Sequence, residues 1–560
     1  MVEPHGAHGN TNSKPPMPFR TAVIASTFIV VGAAPVAPQA LPVGDPLEDY
    51  LRVLQITGRA SPGSFTVRPF TLDTALGGLH GTAHPWSERF GGGVSDDGAG
   101  AQAGEDSFDG PRLSRTSARL RTFLNTGYPS GQNDGVVWQG KGVTSAVDID
   151  VSAAWRGLSA SMAPTLLYTQ NASFELGPVG VPGMPEYAYP WRRIDYPQRF
   201  GPDGFWTLHP GQSEVRLSFR GAALGVGTRS LWWGPGIRNA IVLSNNAPGF
   251  PHAFLGTAAP VDIGIGTVEA QWIWGRLARS EWFDPAADSR RFFTGAVLTY
   301  SPDFLDGLSL GATRVFMAYL PDGGLPIGDY FLVFQGATKS GLTTPENPSG
   351  DDETNQLLSL FGRWALPESG FEVYVEWARN DHAWDLTDLV LEPAHSQGYT
   401  LGLQNVEELS NGRLLALRAE LTHLDAGPPS DVRSKITYYD HHIVTEGYTH
   451  RGQIIGAAVG PGGNAQYLGA DLYAAWGRAG VFVERRVHDN DAYFEWALDT
   501  GREFCCHHVS LSTGVSGLVF VDDFDLGAGF AFNRDLNRYF DGPNASNMTL
   551  SLSAAWRRRP

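Results

Sequence analysis

The sequence predicts an all-β fold in the form of a large antiparallel transmembrane β-barrel. From about residue 113 onward, segments of about ten residues alternate apolar and polar side chains. Charged residues make up only 18% of the chain and hydrophobic residues 42%, which suits neither an ordinary soluble domain nor a bundle of membrane helices. Beyond the N-terminal region no run of roughly 18 residues is wholly apolar. Since only helices and closed barrels satisfy every backbone group in lipid, a membrane-embedded chain of this kind crosses with strands.

The clearest strands lie at 143–155, 371–377 and 547–556. Apolar residues there occupy every second position and polar residues the positions between, which gives each strand one apolar face. Roughly sixteen to eighteen such strands suit a large barrel. A soluble β-sandwich or propeller stays open as an alternative, because its strands alternate too. Further candidate strands lie at 114–126, 158–169, 213–220, 263–275, 293–301, 308–319, 357–366, 397–404, 412–423, 467–476, 480–487, 508–516 and 525–532.

The N-terminal region, residues 1–40, has the pattern of a secretory signal peptide. Lys14 and Arg20 supply a positively charged start, and 21–34 is an apolar segment too short to span a bilayer as a helix. Small residues follow, and the expected cleavage positions are after Ala34, Ala37 or Ala40. The pattern predicts export through the inner membrane.

Residues 41–110 are predicted to form a separate helical segment with a linker, and residues 111–560 the barrel. In 45–57 leucines recur at helical spacing behind an aspartate suited to cap a helix. The segment 71–90 is predicted to be helical in pieces, broken by glycines and a proline. Residues 91–110 are rich in glycine and aspartate and are predicted to be a mobile linker.

The charge balance and the cysteines exclude several classes of partner. The formal net charge of −17 at pH 7 argues against binding to a phosphate backbone, so no nucleic acid is expected. The densest basic run, Arg557–Arg559, is a short tail behind the last strand, which is expected to end at Trp556. Cys505–Cys506 and the adjacent His507–His508 suggest a metal site, but consecutive strand residues point to opposite faces. We therefore expect no metal and no cofactor.

Catalytic sequence motifs are sparse. The chain contains no Gly-x-Ser-x-Gly, no His-Glu-x-x-His and no phosphate-binding loop. Carboxylate pairs such as Glu372/Glu376 and Asp148/Asp150 lie on polar strand faces, where we expect them to be solvated in the barrel lumen. The protein is therefore not expected to be an enzyme. An exported glycoside hydrolase stays open as an alternative, because such enzymes use two carboxylates.

The most distinctive stretch of the chain, 231–284, resembles the central signature of the capsule assembly Wzi family. A second similarity lies at 447–463 and a third at 50–69, so the resemblance spans most of the mature chain in the same order. The central match consists of Trp232-Trp233-Gly234-Pro235-Gly236, Leu243-Ser244-Asn245-Asn246-Ala247, Phe250-Pro251 and the strand that holds Glu269 and Trp272.

The resemblance implies a monomeric outer-membrane barrel of about eighteen strands with a small N-terminal α-helical plug on the periplasmic side. It also implies a lectin-like, non-catalytic protein that helps attach or assemble capsular polysaccharide or exopolysaccharide at the cell surface. The expected partners are this polysaccharide, outer-membrane lipid and the barrel-assembly machinery. An outer-membrane porin or channel is a further alternative, which a conductance measurement separates because a plugged barrel conducts poorly.

The candidate glycan-binding residues combine aromatic rings with amide, imidazole and guanidinium groups, which suit sugar rings and hydroxyls. The same residues could instead fix a tight inward-folded loop, because glycine and asparagine tolerate unusual backbone angles, and both interpretations stay open. Arg192, Arg193 and Arg199 could likewise attract an acidic polysaccharide or line the lumen. The candidates are Trp232, Trp233, Gly234, Pro235, Gly236, Arg238, Asn245, Asn246, His252, His450 and Arg451.

Overall fold

The alternating segments of the sequence form the strands of a closed antiparallel barrel in a computed structural model of the chain. Apart from Ala40, the predicted signal peptide lies outside the described residues, as do the linker 91–110 and most of the segment 71–90. Among the described residues, no helix combines the length and the apolar character needed to cross a membrane. The structure describes residues 40–61, 63–71, 84–90, 112–284, 290–336, 354–381, 385–426, 437–499 and 501–557.

Eighteen strands close the barrel within the described residues, and each pairs antiparallel with the next strand along the chain. The last strand pairs with the first, from Ser117 opposite Arg557 to Asn125 opposite Thr549. The prediction of a large antiparallel barrel is confirmed. The strands are β1 (Arg112–Asn125), β2 (Gly142–Trp155), β3 (Leu158–Met162 and Thr165–Thr169), β4 (Phe205–His209 and Glu214–Phe219), β5 (Ala222–Gly227), β6 (His252–Thr257 and Val261–Asp262), β7 (Gly266–Ala278), β8 (Arg290–Pro302), β9 (Leu308–Tyr319), β10 (Thr354–Leu366), β11 (Phe371–Asn380), β12 (Gln397–Glu408), β13 (Leu414–His423), β14 (Asn464–Ala474), β15 (Gly477–Val487), β16 (Val509–Val521), β17 (Phe524–Leu536) and β18 (Ala545–Arg557).

The remaining elements are short. Two two-stranded pairings lie apart from the barrel sheet: Val67–Arg68 pairs with Trp232–Trp233, and Thr449–His450 pairs with Gln453–Ile454. The α-helices are α1 (Pro46–Ile56), α2 (Ser87–Phe90), α3 (Leu386–Leu391) and α4 (Asn490–Asp499), and 3₁₀ helices lie at Ile327–Phe334, Pro367–Ser369 and Ser410–Gly412.

The two ends of the barrel differ in the length of their connections. We call them the short-turn end and the long-loop end. At the short-turn end the strands are joined by residues 156–157, 220–221, 263–265, 303–307, 367–370, 409–413, 475–476 and 522–523. At the long-loop end they are joined by residues 126–141, 170–204, 228–251, 279–289, 320–353, 381–396, 424–463, 488–508 and 537–544.

The strands alternate between an outer apolar face and an inner face, as the sequence predicts. In β2, Val143 and Ile149 are 37% and 49% exposed on the outer face, whereas Thr144 is buried on the inner face. The expectation that Glu372 and Glu376 are solvated is wrong, because both are fully buried on the inner face of β11. Helix α1 contacts Glu372 through Arg52, and the connection 228–251 contacts Glu376 through the Ile241 N–H, so both carboxyl groups are covered.

Helix α1 lies inside the lumen near the short-turn end, where the sequence predicts a helix. Asp45 caps it by accepting a hydrogen bond from the Leu47 N–H at 2.9 Å, and Pro46 occupies the first turn. Leu51 and Leu54 are fully buried against inward-facing side chains of the barrel. Burial of each leucine stabilises the docked helix by about 1.5–3 kcal/mol.

The last strand extends one residue beyond its expected end at Trp556. Arg557 ends β18, and its guanidinium pairs with Asp45 at 2.5 Å and with Asp525 at 2.8 Å. The residues after it lie outside the described part of the chain. The start of the predicted basic tail therefore joins the C-terminal strand to the N-cap of α1.

Candidate functional site

A buried ion-pair network ties α1 to the inner wall of the barrel. Arg52 donates to the Glu372 carboxylate at 2.5 and 3.0 Å and to the Pro235 carbonyl oxygen at 2.8 Å. Arg363 pairs with the same carboxylate, and the Gln404 amide donates to it at 3.0 Å. Arg52 thus joins α1 both to the barrel wall and to the connection 228–251.

A second contact of α1 is made through Asp49. Its carboxylate pairs with Arg418 at 2.9 Å and Arg478 at 3.2 Å, and it accepts a hydrogen bond from the Tyr473 hydroxyl at 3.0 Å. Burial alone would raise the pKa of Asp49, but the two guanidinium groups lower it to about 2. The carboxylate is therefore ionised over the physiological range of pH.

The tryptophans of the central stretch lie in the packed interior. The Arg68 guanidinium stacks over the Trp232 ring at 4.5 Å. Trp233 is fully buried, and its indole N–H donates to the Gln271 side chain at 2.9 Å. These contacts support the loop-fixing interpretation of both rings.

The Gly-Pro-Gly segment brings the backbone close to the barrel wall. Gly234 has a φ of +107°, and a Cβ built on it would lie 3.0 Å from a carboxylate oxygen of Glu376. The Gly236 carbonyl oxygen accepts a hydrogen bond from Arg68 at 3.0 Å. Glycine is required at position 234 by both the backbone angle and the close approach.

The next turn of the same connection binds the Glu420 carboxylate of the wall through backbone N–H groups. Glu420 accepts hydrogen bonds from the backbone N–H groups of Ile237, Arg238 and Asn239 at 2.7, 3.2 and 2.8 Å. The Arg238 side chain is half-buried and pairs with Glu484 at 2.9 Å. Backbone hydrogen bonds to β13 therefore hold this residue while its guanidinium reaches β15, two strands further along the wall.

The two asparagines join separate connections. The Asn245 amide donates to the Asn133 carbonyl oxygen at 2.8 Å and to the Val43 carbonyl oxygen at 3.3 Å. The Asn246 amide donates to the Ile454 carbonyl oxygen at 3.0 Å. Side-chain amides thus fix the connections 126–141, 228–251 and 424–463 and the segment before α1 to one another.

The histidine candidates are interior residues, and the last arginine candidate is on the surface. His252 is buried at the start of β6, and its Nδ1 lies 2.8 Å from the Phe250 carbonyl oxygen. The His450 Nδ1 accepts a hydrogen bond from the Ala278 N–H at 3.1 Å. Burial holds the pKa of His450 well below its usual range, so this imidazole is neutral. Arg451 is exposed.

A cavity of about 570 Å³ lies at the long-loop end, between the inner wall and the inward-folded connections. Strands β1 and β15 to β18 supply its wall. Its aromatic lining is Phe123, Tyr128, Trp138, Phe174, Tyr189, Trp191, Tyr196, Phe482, Tyr539 and Phe540. Its charged lining is Asp134, Arg238, Glu484, Arg486, Asp489, Asp535 and Arg538. The cavity therefore combines many aromatic rings with a nearly balanced set of four carboxylates and three guanidinium groups.

The cavity carboxylates differ in their state. Glu484 lies between Arg238 and Arg486, at 2.9 and 2.8 Å. Asp134 accepts a hydrogen bond from the Gln139 amide at 2.7 Å, and burial raises the pKa of Asp134 to about 6. Asp134 is thus the cavity carboxylate whose pKa lies closest to neutral pH among those with a described shift.

Of the eleven sequence candidates, the cavity lining contains Arg238 and Asn246. Of the additional arginines, Arg192 is buried and pairs with Asp489 at 3.1 Å, which places it just behind the lining. Arg193 pairs with Asp284. The adjacent Cys505 and Cys506 form a disulfide.

Sequence reasoning missed most of the cavity lining. The connection 126–141 supplies Tyr128, Gln132, Asn133 and Trp138 to the lining. Its interleaved aromatic and amide residues between two alternating strands are a signal that could have marked it. The wall residues give no such local signal, because any inward-facing polar residue of a barrel strand looks the same in sequence.

Comparison with known proteins agrees with this architecture. The family described as capsule assembly protein Wzi matches residues 119–473. The chain is similar to Wzi from Escherichia coli, an outer-membrane protein described as involved in group 1 capsule assembly and as a carbohydrate-binding β-barrel. The two are 13% identical, the match covers 93% of this chain and 100% of that one, and the TM-score is 0.62. This similarity shows the fold.

Solved structures of lower similarity include two from other bacteria. OpdL from Pseudomonas aeruginosa is 11% identical, with 79% of this chain and 97% of that chain covered and a TM-score of 0.37. OccAB2 from Acinetobacter baumannii is 11% identical, with 79% and 98% covered and a TM-score of 0.37. No curated protein sequence matches the chain at a significant level.

Proposed function

Because the chain belongs to the capsule assembly protein Wzi family, we propose that it binds capsular polysaccharide or exopolysaccharide and helps attach or assemble it at the cell surface. The proposed role is lectin-like and non-catalytic, and the protein acts as a monomer in the outer membrane. The observation that carries the proposal is the cavity of about 570 Å³ at the long-loop end.

The outer face of the barrel supports a location in a membrane. Large apolar side chains are exposed around it, and such a surface suits lipid and not water. Barrels of the outer membrane place short turns toward the periplasm and long loops outside, so the cavity would face the exterior and α1 the periplasm. Exposed residues of this face include Leu120, Ile149, Leu298, Leu360, Val481 and Phe530.

Cell fractionation tests this location. The chain, expressed with its own N-terminal region, should be found in the outer membrane and should migrate differently on a detergent gel before and after heating. Export would bring the chain to the barrel-assembly machinery, and folding would bring it into contact with lipid. Recovery of a soluble protein without heat-modifiable migration would contradict the proposal.

The cavity offers the two kinds of contact that a saccharide needs. Half-buried rings such as Trp138 and Tyr539 can pack against the C–H faces of sugar rings. Arg238 and Asn246 add donors that suit hydroxyl and carboxylate groups. A cavity with several rings and convergent polar groups is typical of a binding site.

The cavity carboxylates are engaged in ion pairs and hydrogen bonds, which favours a non-catalytic role over glycoside hydrolysis. Hydrolysis needs two carboxyl groups that face the sugar, one as acid and one as base or nucleophile. In the described cavity, Glu484 is held by two arginines and Asp489 by Arg192. Asp535 is engaged by Ser510 and Arg538, so Asp134 has no second unengaged carboxyl group beside it in the described lining. Incubation of the protein with its polysaccharide should therefore release no shorter products.

Binding to the purified barrel tests the cavity directly. The detergent-solubilised protein is titrated with the polysaccharide that its own host exports. Arg238→Gln and Trp138→Ala should each weaken binding by about tenfold or more, equivalent to about 1.4 kcal/mol. Arg451→Gln is the matched control, because Arg451 is an exposed arginine outside the cavity lining. Equal loss in Arg238→Gln and Arg451→Gln would show that the cavity is not the site.

The elements that fill the lumen favour binding of polysaccharide over diffusion of solutes through a channel. Helix α1 and the connection 228–251 pack against the inner wall in two buried apolar clusters. A diffusion porin needs an open path through this region. Single-channel recording in planar bilayers should therefore give far lower conductance than an open barrel of similar strand number, and porin-like conductance would contradict the proposal.

A further inference from the structure

Three polar side chains from neighbouring strands converge on the wall of the cavity. His488 and His508 occupy opposite positions just beyond the ends of β15 and β16, and the His488 N–H donates to the His508 carbonyl oxygen at 3.0 Å. Asp535 on β17 pairs with Ser510 on β16. Because residues two apart on a strand share a face, His508 and Ser510 point the same way, toward Asp535. Register, and not local sequence, brings these groups together.

The donor set suits a divalent transition-metal ion. One ring nitrogen of each histidine and one carboxylate oxygen of Asp535 lie within 4.8 Å of one another. Zinc binds imidazole nitrogen and carboxylate oxygen at about 2.0–2.2 Å, which sets donors of a tetrahedral site about 3.3–3.5 Å apart. The three side chains therefore need to move by roughly 1 Å to complete such a site.

The hydrogen bonds around the cluster leave one potential metal-ligating atom without a partner. The Ser510 hydroxyl donates to Asp535 at 2.6 Å and lies 2.6 Å from Nε2 of His488. Nε2 of His508 is buried 3.5 Å from the second carboxylate oxygen, and it makes no hydrogen bond to any described residue. A cation between this nitrogen and this oxygen would give the nitrogen a partner.

Ring stacking also orders the two imidazoles of the cluster. The two rings stack at 4.2 Å, which holds them in a common orientation.

We propose that His488, His508 and Asp535 bind a divalent transition-metal ion of the zinc type. All three line the cavity, so the remaining coordination position faces the cavity and is available to water or to a ligand. Of the sequence Cys505–His508, only the last residue takes part, and its partners come from adjacent strands. Binding of the cation does not depend on the proposed binding of polysaccharide.

The competing explanation is a purely structural ion pair. Arg538 lies 3.8 Å from the Asp535 carboxylate and could serve as its only cation. The two explanations predict different metal affinities for one variant. Arg538→Gln should strengthen metal binding severalfold, because it removes a like charge next to the site, whereas a structural pair predicts no metal binding in either protein.

The test is a titration of the detergent-solubilised full chain with Zn²⁺ after treatment with a chelator, using an affinity tag without histidines. We expect one ion per chain, and at least about tenfold weaker binding in both His508→Gln and Asp535→Asn. His507→Gln is the matched control, because the adjacent imidazole lies outside the cluster. Heat-modifiable migration verifies that each variant is folded.

Two outcomes of this titration would overturn the proposal. One is the absence of stoichiometric Zn²⁺ binding to the wild-type protein. The other is unchanged affinity in His508→Gln and Asp535→Asn. Replacement of Zn²⁺ by Co²⁺ gives a second measurement on the wild-type protein, whose visible spectrum should report tetrahedral nitrogen and oxygen ligands. A spectrum of free hexaaqua Co²⁺ alone would contradict the site even if a variant failed to fold.

Discussion

Replacement of Arg52 by glutamine should loosen α1 inside the barrel. The guanidinium donates to Glu372 at 2.5 and 3.0 Å and to the Pro235 carbonyl oxygen at 2.8 Å, and all of these contacts are buried. Loss of one partner of a buried ion pair costs about 3–5 kcal/mol. Since Arg363 still pairs with Glu372 in the variant, we expect the lower value of about 3 kcal/mol.

Arg59 provides a matched control near the same helix. It pairs with Glu408, and the two side chains are 17% and 56% exposed. An exposed pair of this kind contributes about 0–1 kcal/mol. Arg59→Gln therefore removes the same charge and the same type of partner at far lower cost.

Hydrogen exchange measured by mass spectrometry on peptides from α1 is the suitable assay. Exchange through local opening should accelerate about a hundredfold in Arg52→Gln, since each 1.4 kcal/mol is a factor of ten. In Arg59→Gln the acceleration should stay below about fivefold. Equal protection in the two variants, with both barrels folded by heat-modifiable migration, would refute the idea that the buried network holds α1.

Three further predictions follow from individual contacts. Since the folded-state pKa of Asp49 is depressed to about 2, its contribution to the docking of α1 is present above about pH 4 and is lost as the pH falls toward 2. Hydrogen exchange of α1 should therefore accelerate in acid in the wild-type protein, and Asp49→Asn should lack this increase. Since the pKa of Asp134 is raised to about 6, an acidic polysaccharide should bind more tightly as the pH falls through 6, and Asp134→Asn should bind with little change over that range in the same titration. Gly234→Ala should destabilise the barrel by about 2–3 kcal/mol in denaturant unfolding, because the new Cβ would meet Glu376 at a positive φ. Gly323 has open space around it, so Gly323→Ala should have no effect. Equal stability of the two variants would contradict the close approach of Gly234 to Glu376.

The barrel could be predicted where the alternation of the strands is strong. The segments 143–155 and 371–377 were predicted within a few residues, because lipid on one face and the lumen on the other impose the pattern. The strands β5 and β6 were missed. Both are short and contain glycine, so their sequences alternate weakly, and pairing with their neighbours supplies what local sequence lacks.

The site could be predicted only in part, for a different physical reason. The central stretch was recognised, but most of its residues hold a loop against α1 and the wall, and Arg238 and Asn246 are the ones that reach the cavity lining. The cavity itself is assembled from connections far apart in the chain and from inward-facing strand residues. The burial of Glu372 was likewise invisible in sequence, because it depends on Arg52, 320 residues away along the chain.

If the cavity retains polysaccharide at the cell surface, substitutions in its lining should release that polysaccharide. The most direct measurement is the fraction of exported polysaccharide that stays cell-associated in a strain that carries Arg238→Gln and Trp138→Ala together, compared with wild type and with Arg451→Gln at equal outer-membrane levels of the protein. We expect the cavity variant to release polysaccharide into the medium and Arg451→Gln to retain it. An unchanged distribution in the cavity variant would contradict the proposed role of the cavity.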